Sequence, residues 1–337
     1  MRLSDFDYNL PKELIAKELN KPRDHSRLLI LHKDSGKIEH KKFFNIIDYL
    51  KPGDVLVLNN SKVIPARLIG IRKDTGKKIE ILLSKKNHEK EIWQCMCGSK
   101  IKPGMVIEFE NNLTAELIER DSLNTCLFEF NQKGQQFMKT IEKIGKVPLP
   151  PYIKRELNDQ DKEDYQTVYA EKKGSVAAPT AGFHFTKELL EKIKDKGVKI
   201  EYITLHVGLG TFLPVRTNIK DHHMHSEWVE VSKQTIDIIK KAQRVIVVGT
   251  TSCRSLEAVW KNNELNKDFA DWVDIFIYPG YRFKITDALI TNFHLPKTTL
   301  IMLVSALAGK ENIDKAYMEA VEEKYRFYSY GDAMFII

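Results

Sequence analysis

A multi-domain α/β fold with a small all-β module inserted into it is what this sequence predicts, and three observations carry the expectation. Strand-like and helix-like segments alternate after Tyr165; short strands recur at regular spacing between about residues 61 and 150; and two turns of the same form, Lys51-Pro-Gly-Asp-Val and Lys102-Pro-Gly-Met-Val, each feed an alternating strand. In such a turn proline presets φ and glycine takes the position with φ > 0.

The N-terminal segment opens with LPKELIAKEL, whose spacing predicts a helix, then a loop KPRDHSR, a strand LLILHKD, and a turn at Ser35 and Gly36 leading to further helix-like sequence. In the middle, LIGIRKD, KKIEILLSK, EIWQCMCG, MVIEFE, LTAELIERD and TCLFEF read as the short strands of a small barrel or sandwich. VPLPPYIK, with three prolines, reads as a stiff linker closing the module. The predicted division is therefore residues 1–60 plus 151–337 as a discontinuous α/β domain, with 61–150 inserted.

Beyond the linker, Thr186 is placed to cap a helix that Gly197 stops, and VKIEYITL follows as an extended run. Ser232 caps KQTIDIIKKA, and RVIVVG is a continuous apolar strand of the buried, parallel type. Further strands are expected at DIFIYPG and at LITN, the latter ahead of an apolar helix.

Composition bounds the function classes. The 337 residues are 42% hydrophobic, enough for a sizeable core, and 29% charged with a formal net charge of +7. A pI near 8.9 suits an anionic partner without making the chain a polybasic tail. The first ten residues lack the apolar core of a signal sequence, and no apolar run is long enough to span a bilayer, so the cytosol is the expected address. Cys95, Cys97, Cys126 and Cys253 form no CxxC and read as buried thiols.

Two long uncharged stretches stand out in so charged a chain: GSVAAPTAGFHFT (174–186) and YITLHVGLGTFLPV (202–215). Pro179 with Gly182, and Gly208 with Gly210 and Pro214, spoil a helix, while the polar residues spoil a plain core strand. They read as the floor of a pocket in which glycines admit close approach and His184 and His206 titrate near neutrality. The turn Gly249-Thr250-Thr251-Ser252 ahead of CRSLEAVW offers backbone N–H groups, hydroxyls and Arg254 to an anion, or is an ordinary capped helix start. In DHHMHSEW, zinc ligation lacks matching ligand spacing, and His225 with Glu227 reads as an acid/base pair. Arg282, Asn292 and His294 fall near strand ends, where ligands gather in open α/β sheets. The closing YRFYSYGDAM suits base stacking or core-edge packing.

The passages NNSKVIPARL, GSVAAPTAGFHFT, LHVGLGTFLPV, MHSEW, VGTTSCRSLEA, YPGYRF, LITNFHLPKTTLIMLVSALAG and YRFYSYGDAM occur in one order along the whole chain. Together they resemble the S-adenosylmethionine:tRNA ribosyltransferase-isomerases of queuosine biosynthesis. Asn59-Asn-Ser-Lys-Val departs from the Asn-Asp-Thr-Arg-Val of that family, which bears on Asn60 and Lys62. The resemblance implies a β-barrel inserted in an α/β domain. It also implies transfer of the ribosyl moiety of S-adenosylmethionine to an aminomethyl-deazaguanine base at the tRNA wobble position, giving epoxyqueuosine with release of adenine and methionine. No metal and no cofactor beyond S-adenosylmethionine as co-substrate are expected, and neither is a membrane or an obligate protein partner.

That chemistry needs a base for a C5′ proton beside the sulfonium, an acid for departing adenine and a neutral amine. The candidates are His184, His206, His225, Glu227, Asp287 and His294, with His184 and His225 foremost. Gly182, Gly208, Gly210, Thr250, Thr251 and Asn292 are expected around the substrate, and Arg216, Arg254 and Arg282 on carboxylate or phosphate oxygens. Lys73, Lys77, Lys78, Lys85 and Lys86 read as a basic strip for the anticodon loop, or as a solvated lysine face. A tRNA methyltransferase is disfavoured because Pro214 spoils a helix after Gly208-Leu-Gly, and a non-catalytic RNA-binding protein leaves the His-bearing uncharged loops unexplained.

Overall fold

A computed structural model of the chain describes residues 1–86, 92–121, 125–150, 152–153, 155–208, 218–222, 224, 226–262 and 265–337. It divides into two compact units, one made of Met1–Lys62, Gln166–Lys172 and Ala178–Ile337, the other of Val63–Tyr165 with Lys173–Ala177.

In chain order the strands are β1 (Arg27–Leu31), β2 (Ile38–Lys42), β3 (Asp54–Asn59), β4 (Ser61–Val63), β5 (Arg67–Arg72), β6 (Lys78–Lys86), β7 (Ile92–Met96), β8 (Val106–Glu108), β9 (Thr114–Arg120), β10 (Thr125–Phe130), β11 (Lys172–Ser175), β12 (Lys199–His206), β13 (Glu227–Val231), β14 (Arg244–Val248), β15 (Phe269–Val273), β16 (Ala288–Asn292) and β17 (Ala333–Ile336). The α-helices are α1 (Gly134–Ile144), α2 (Asp161–Asp164), α3 (Lys187–Asp195), α4 (Lys233–Lys240), α5 (Thr250–Asn262), α6 (Thr299–Ala308) and α7 (Lys310–Glu322).

The larger unit is built on a nine-stranded sheet of order β15-β13-β12-β3-β14-β16-β17-β1-β2. Strands β12, β3, β14 and β16 run parallel, and β16 pairs antiparallel with β17, which runs parallel to β1. The central strands read as unbroken apolar runs because both faces are covered. Leu28, Ile30, Leu56, Leu58, Ile246, Val248, Ile290 and Phe335 pack one face against Phe43, Ile46, Phe185, Leu189 and Ile193. The caps fall where side-chain chemistry puts them: Thr186, Ser232 and Thr298 each accept the N–H three residues on, from Leu189, Thr235 and Ile301.

The smaller unit holds a closed six-stranded barrel of order β10-β7-β6-β5-β8-β9, so the barrel rather than the sandwich is the outcome. Its interior is filled by alternate residues, among them Leu68, Ile79, Ile81, Leu83, Leu117 and Phe128. Cys95 and Cys126 face each other across β7 and β10 as buried thiols, and burial raises both pKa values, that of Cys126 to about 11. Gly53 and Gly104 take the left-handed φ that the repeated turn requires, at 89° and 82°.

Three sequence expectations are corrected. LPKELIAKEL forms only one 3-10 turn, Lys12–Leu14, because the chain there pairs elsewhere: Ala16 N–H donates to Phe327 O, and Phe327 N–H to Leu14 O. The segment after Gly36 forms β2 and a 3-10 helix, Phe43–Tyr49, rather than α-helix. The strand expected at DIFIYPG lies earlier, at Phe269–Val273, because its ladder partner β13 begins at Glu227, opposite Val273, and among the described residues no strand pairs with the chain beyond Val273.

Candidate active site

The parallel strands bring two different edges to the sheet. At their carboxyl ends lie Asn59, His206, Gly249 and Asn292, and because β17 and β1 run the opposite way, residues ahead of them, Ser329 and Ser26, reach the same edge. A cleft of about 480 Å³, open to solvent, occupies this edge and is lined by Pro179, Thr180, Val207, Gly249, Thr251, Asn292, His294 and Ser329, among others. No charged side chain stands among its described lining residues. A smaller cleft of about 280 Å³ shares Thr250 and Leu300 with it and is lined also by Met224, Arg254, Phe276 and Ile277.

One hydrogen-bonded chain runs behind the main cleft. Thr180 Oγ1 donates to Asn292 Oδ1 (3.2 Å), Asn292 Nδ2 donates to His184 Nε2 (3.2 Å), and His184 Nδ1 lies 2.7 Å from Ser26 Oγ. Since Nε2 receives the amide N–H, the proton of the neutral ring sits on Nδ1 and is donated to Ser26. His184 is 2% exposed and stacked on Phe43, with ring centres 5.0 Å apart. Burial, helped by the positive charges of Arg326 and Arg23, lowers its pKa to about 3. Burial likewise lowers His294 to about 3; its Nε2 lies 3.0 Å from Thr291 Oγ1, while its backbone N–H donates to Tyr317 and its carbonyl accepts from Tyr8.

Beside the smaller cleft, Glu227 and Arg254 form a buried ion pair, and the second Glu227 oxygen accepts the Gly208 N–H at 3.3 Å. Glu227 opens β13 and Arg254 lies one turn into α5, so both are delivered by element termini. Thr250 and Thr251 are not in a loop before α5 but form its first turn, where backbone N–H groups lack helical partners.

The structure thus brings His184, Asn292, His294, Thr250 and Thr251 to one cleft edge and sets Glu227 and Arg254 next to it. Other candidates lie apart. Asp287 is at the opposite, amino edge, where its carboxylate accepts the Val245 N–H at 2.8 Å; a strand start is structural ground there. Arg282 is exposed after a turn closed by Tyr281 N–H to Tyr278 O, and is not among the residues lining either cleft. Arg254 pairs with Glu227 and also lines the smaller cleft. Gly182 is needed for packing: a Cβ there would stand 2.0 Å from the Tyr169 hydroxyl. A Cβ on Gly208 would meet open space. Gly210, Arg216 and His225 lie outside the described residues, as does His223.

The five lysines do not form one strip. Lys73, Lys77 and Lys78 cluster at the β5–β6 turn, while Lys85 and Lys86 end the nine-residue strand β6, roughly 25 Å away at 3.3 Å per residue. Lys73 also pairs with Glu108 at 3.7 Å, and partial burial lowers the pKa of Lys85. Among the described residues no group of three or more His, Cys, Asp or Glu side chains is arranged to hold a metal ion, and no helix is long and apolar enough to cross a membrane.

Residues that sequence reasoning passed over include Thr180 and Ser26, which orient Asn292 and His184, and Ser329 on the cleft wall. Only their place within YRFYSYGDAM and GSVAAPTAGFHFT could have pointed to Ser329 and Thr180; nothing local marks Ser26.

Comparison with known proteins spans nearly the whole chain. A family profile described as "Queuosine biosynthesis protein" matches residues 3–336. A relative from Finegoldia magna, named S-adenosylmethionine:tRNA ribosyltransferase-isomerase, is 52% identical over 345 aligned positions covering 100% of this chain and 98% of that protein. A crystal structure of the S-adenosylmethionine tRNA ribosyltransferase from Thermotoga maritima is 39% identical, with a TM-score of 0.58 over 99% of this chain and 100% of that one.

Proposed function

The chain belongs to the queuosine biosynthesis protein family, and from that premise we propose that it catalyses the reaction for which its Finegoldia magna relative is named. In full, the ribosyl moiety of S-adenosylmethionine is transferred to the 7-aminomethyl-7-deazaguanine base at the tRNA wobble position and isomerised to epoxyqueuosine, with adenine and methionine released. S-adenosylmethionine is a co-substrate, no further cofactor takes part, and the site of action is the cytoplasm. Agreement along the whole chain, rather than at one motif, carries this reading.

The site supports a division of labour. A neutral histidine with both ring nitrogens engaged is a poor proton carrier and a good positioning group, so His184 holds the cleft in shape, and His294, buried and neutral with Nε2 against Thr291, is assigned the same part. Proton transfer then falls to His206, His225 and Glu227. The cleft at the carboxyl edge, whose described lining residues carry no charge, suits the nucleoside part of S-adenosylmethionine, since such sites are mostly apolar with a few convergent polar groups.

The test is to incubate the purified chain with S-adenosylmethionine and tRNA carrying the aminomethyl-deazaguanine base. Free adenine and the modified nucleoside are then measured by mass spectrometry. Adenine released in step with epoxyqueuosine is expected. S-adenosylhomocysteine instead would indicate a methyltransferase, and no turnover of a competent tRNA would indicate a binding role; either would overturn the proposal.

A further inference from the structure

Ser329 is 3% exposed and lines the main cleft, yet its hydroxyl has no hydrogen-bond partner among the described residues. Buried hydroxyls are ordinarily paired, and an orphan at a cleft wall points to a partner that arrives with the ligand. The backbone beside it is unusual in the same sense. Tyr328 takes φ of 74°, a left-handed conformation uncommon for a residue with a bulky side chain.

That turn is held from several sides. Tyr328 N–H donates to Phe293 O and Gly331 N–H to Tyr328 O, at 3.0 and 2.9 Å. The Asp332 carboxylate accepts the backbone N–H groups of Arg27 and Arg326, at 2.9 and 2.8 Å. Gly331 admits no side chain, because a Cβ would lie 2.4 Å from Arg326 O. The fold therefore fixes a strained turn rigidly in order to present Tyr328 and Ser329.

Across the cleft wall, Asn292 is half used. Thr180 takes one lone pair of Oδ1 and His184 takes one N–H of Nδ2, which leaves one acceptor site and one donor. Adjacent donor and acceptor sites on an amide are the pattern that reads the edge of a purine, as an asparagine does with adenine. The absence of charge among the described lining residues agrees with an uncharged, heteroatom-rich ring.

We propose that Ser329 Oγ and the unused half of the Asn292 amide together bind a purine-type base in this cleft, making Ser329 a substrate-binding residue. This rests on the proposed function, in which two such bases take part: the adenine of S-adenosylmethionine and the deazaguanine of tRNA. Their donor and acceptor edges share this chemistry, and the experiment separates them.

The full chain is prepared as wild type, Ser329→Ala and Ser329→Cys. Affinity for S-adenosylmethionine is measured by calorimetry, and KM for the modified tRNA by adenine release. Removing the hydroxyl should weaken one of the two by about 3- to 10-fold, the worth of one buried hydrogen bond, with Ser329→Cys in between. The thermal midpoint should stay level or rise, since no partner among the described residues is lost. Weaker S-adenosylmethionine binding alone assigns the cleft to adenine, a raised tRNA KM alone assigns it to deazaguanine, and both together still support a base site. Wild-type values for both in Ser329→Ala would overturn the inference while turnover upholds the reaction. Ser329-dependent binding of S-adenosylmethionine without turnover would uphold the inference and sink the reaction; neither binding nor turnover in the wild type would sink both.

Discussion

The two edges of the central sheet use polar residues in opposite ways. At the amino edge, Asp54 binds Arg244 through two hydrogen bonds, 3.1 and 2.6 Å, and accepts the Lys51 N–H at 2.8 Å, while Arg244 also donates to Tyr49 O. Asp287 accepts from Val245, and Lys33 Nζ donates to the Asp287 carbonyl. These groups satisfy one another. At the carboxyl edge, Asn292 retains capacity, Ser329 has no partner among the described residues, and Tyr328 is strained. Glu227 and Arg254 pair with each other at the carboxyl edge too, but Arg254 also lines the smaller cleft. Strand starts here serve stability and strand ends keep valences for a ligand, the division expected of open α/β sheets.

Substitutions sharpen or break this comparison. The largest effect should come from Arg254→Met, which strands a buried carboxylate and should cost on the order of 3–5 kcal/mol in denaturant unfolding. A loss below about 1 kcal/mol would show that the pair belongs with the open groups and not with the saturated ones. Next, Asp54→Ala should cost about 1.5–3 kcal/mol, from hydrogen bonds to charged groups, with S-adenosylmethionine affinity unchanged. A matching loss of affinity would erase the distinction between the edges.

A third effect is read against pH. His184 and His294 have folded pKa values of about 3, below the unfolded value of about 6.5. The unfolded chain therefore takes up protons that the folded chain refuses. The stability from keeping them neutral is full above pH 6.5 and is lost as pH falls from there towards 3, by up to about 1.4 kcal/mol per pH unit for each histidine. His184→Gln should flatten that slope by about half in urea titrations at pH 4 to 6; an unchanged slope would mean that His184 is protonated in the folded protein.

Much of the fold was legible because its signals are local. Thr186, Ser232, the KPG turns and the apolar run RVIVVG each act within a few residues, and each formed what its chemistry dictates. The failures share a cause: Leu14 to Ala16 pair with Phe327, and the strand after Phe269 ends where β13 begins, facts that lie far away in the sequence. The site divides similarly. Motif passages held His184, Asn292, His294 and Thr251, but chemistry alone could not tell that His184 would be enclosed by Ser26 and Phe43, or that Arg254 would meet Glu227. Asp287 was misplaced because it lies just ahead of a strand start, and one-dimensional order does not say which edge that start faces.

Strand β17 fills the slot between β16 and β1, and the hydrogen bond from Arg27 to Asp332 joins residues 305 positions apart. At a synthesis rate of about 5–20 residues per second, β1 waits roughly 15 to 60 s for that neighbour. Through this interval Leu28 to Leu31, all fully enclosed at the end, have only β2 of their two sheet neighbours to pair with. The barrel faces no such delay, since its strands all fall within Arg67–Phe130. The growing chain therefore carries a finished barrel and an unfinished sheet for most of its synthesis, and protection of the apolar strands β1 and β3, whose neighbours β17, β12 and β14 come far along the chain, becomes the demand that this topology places on the cell.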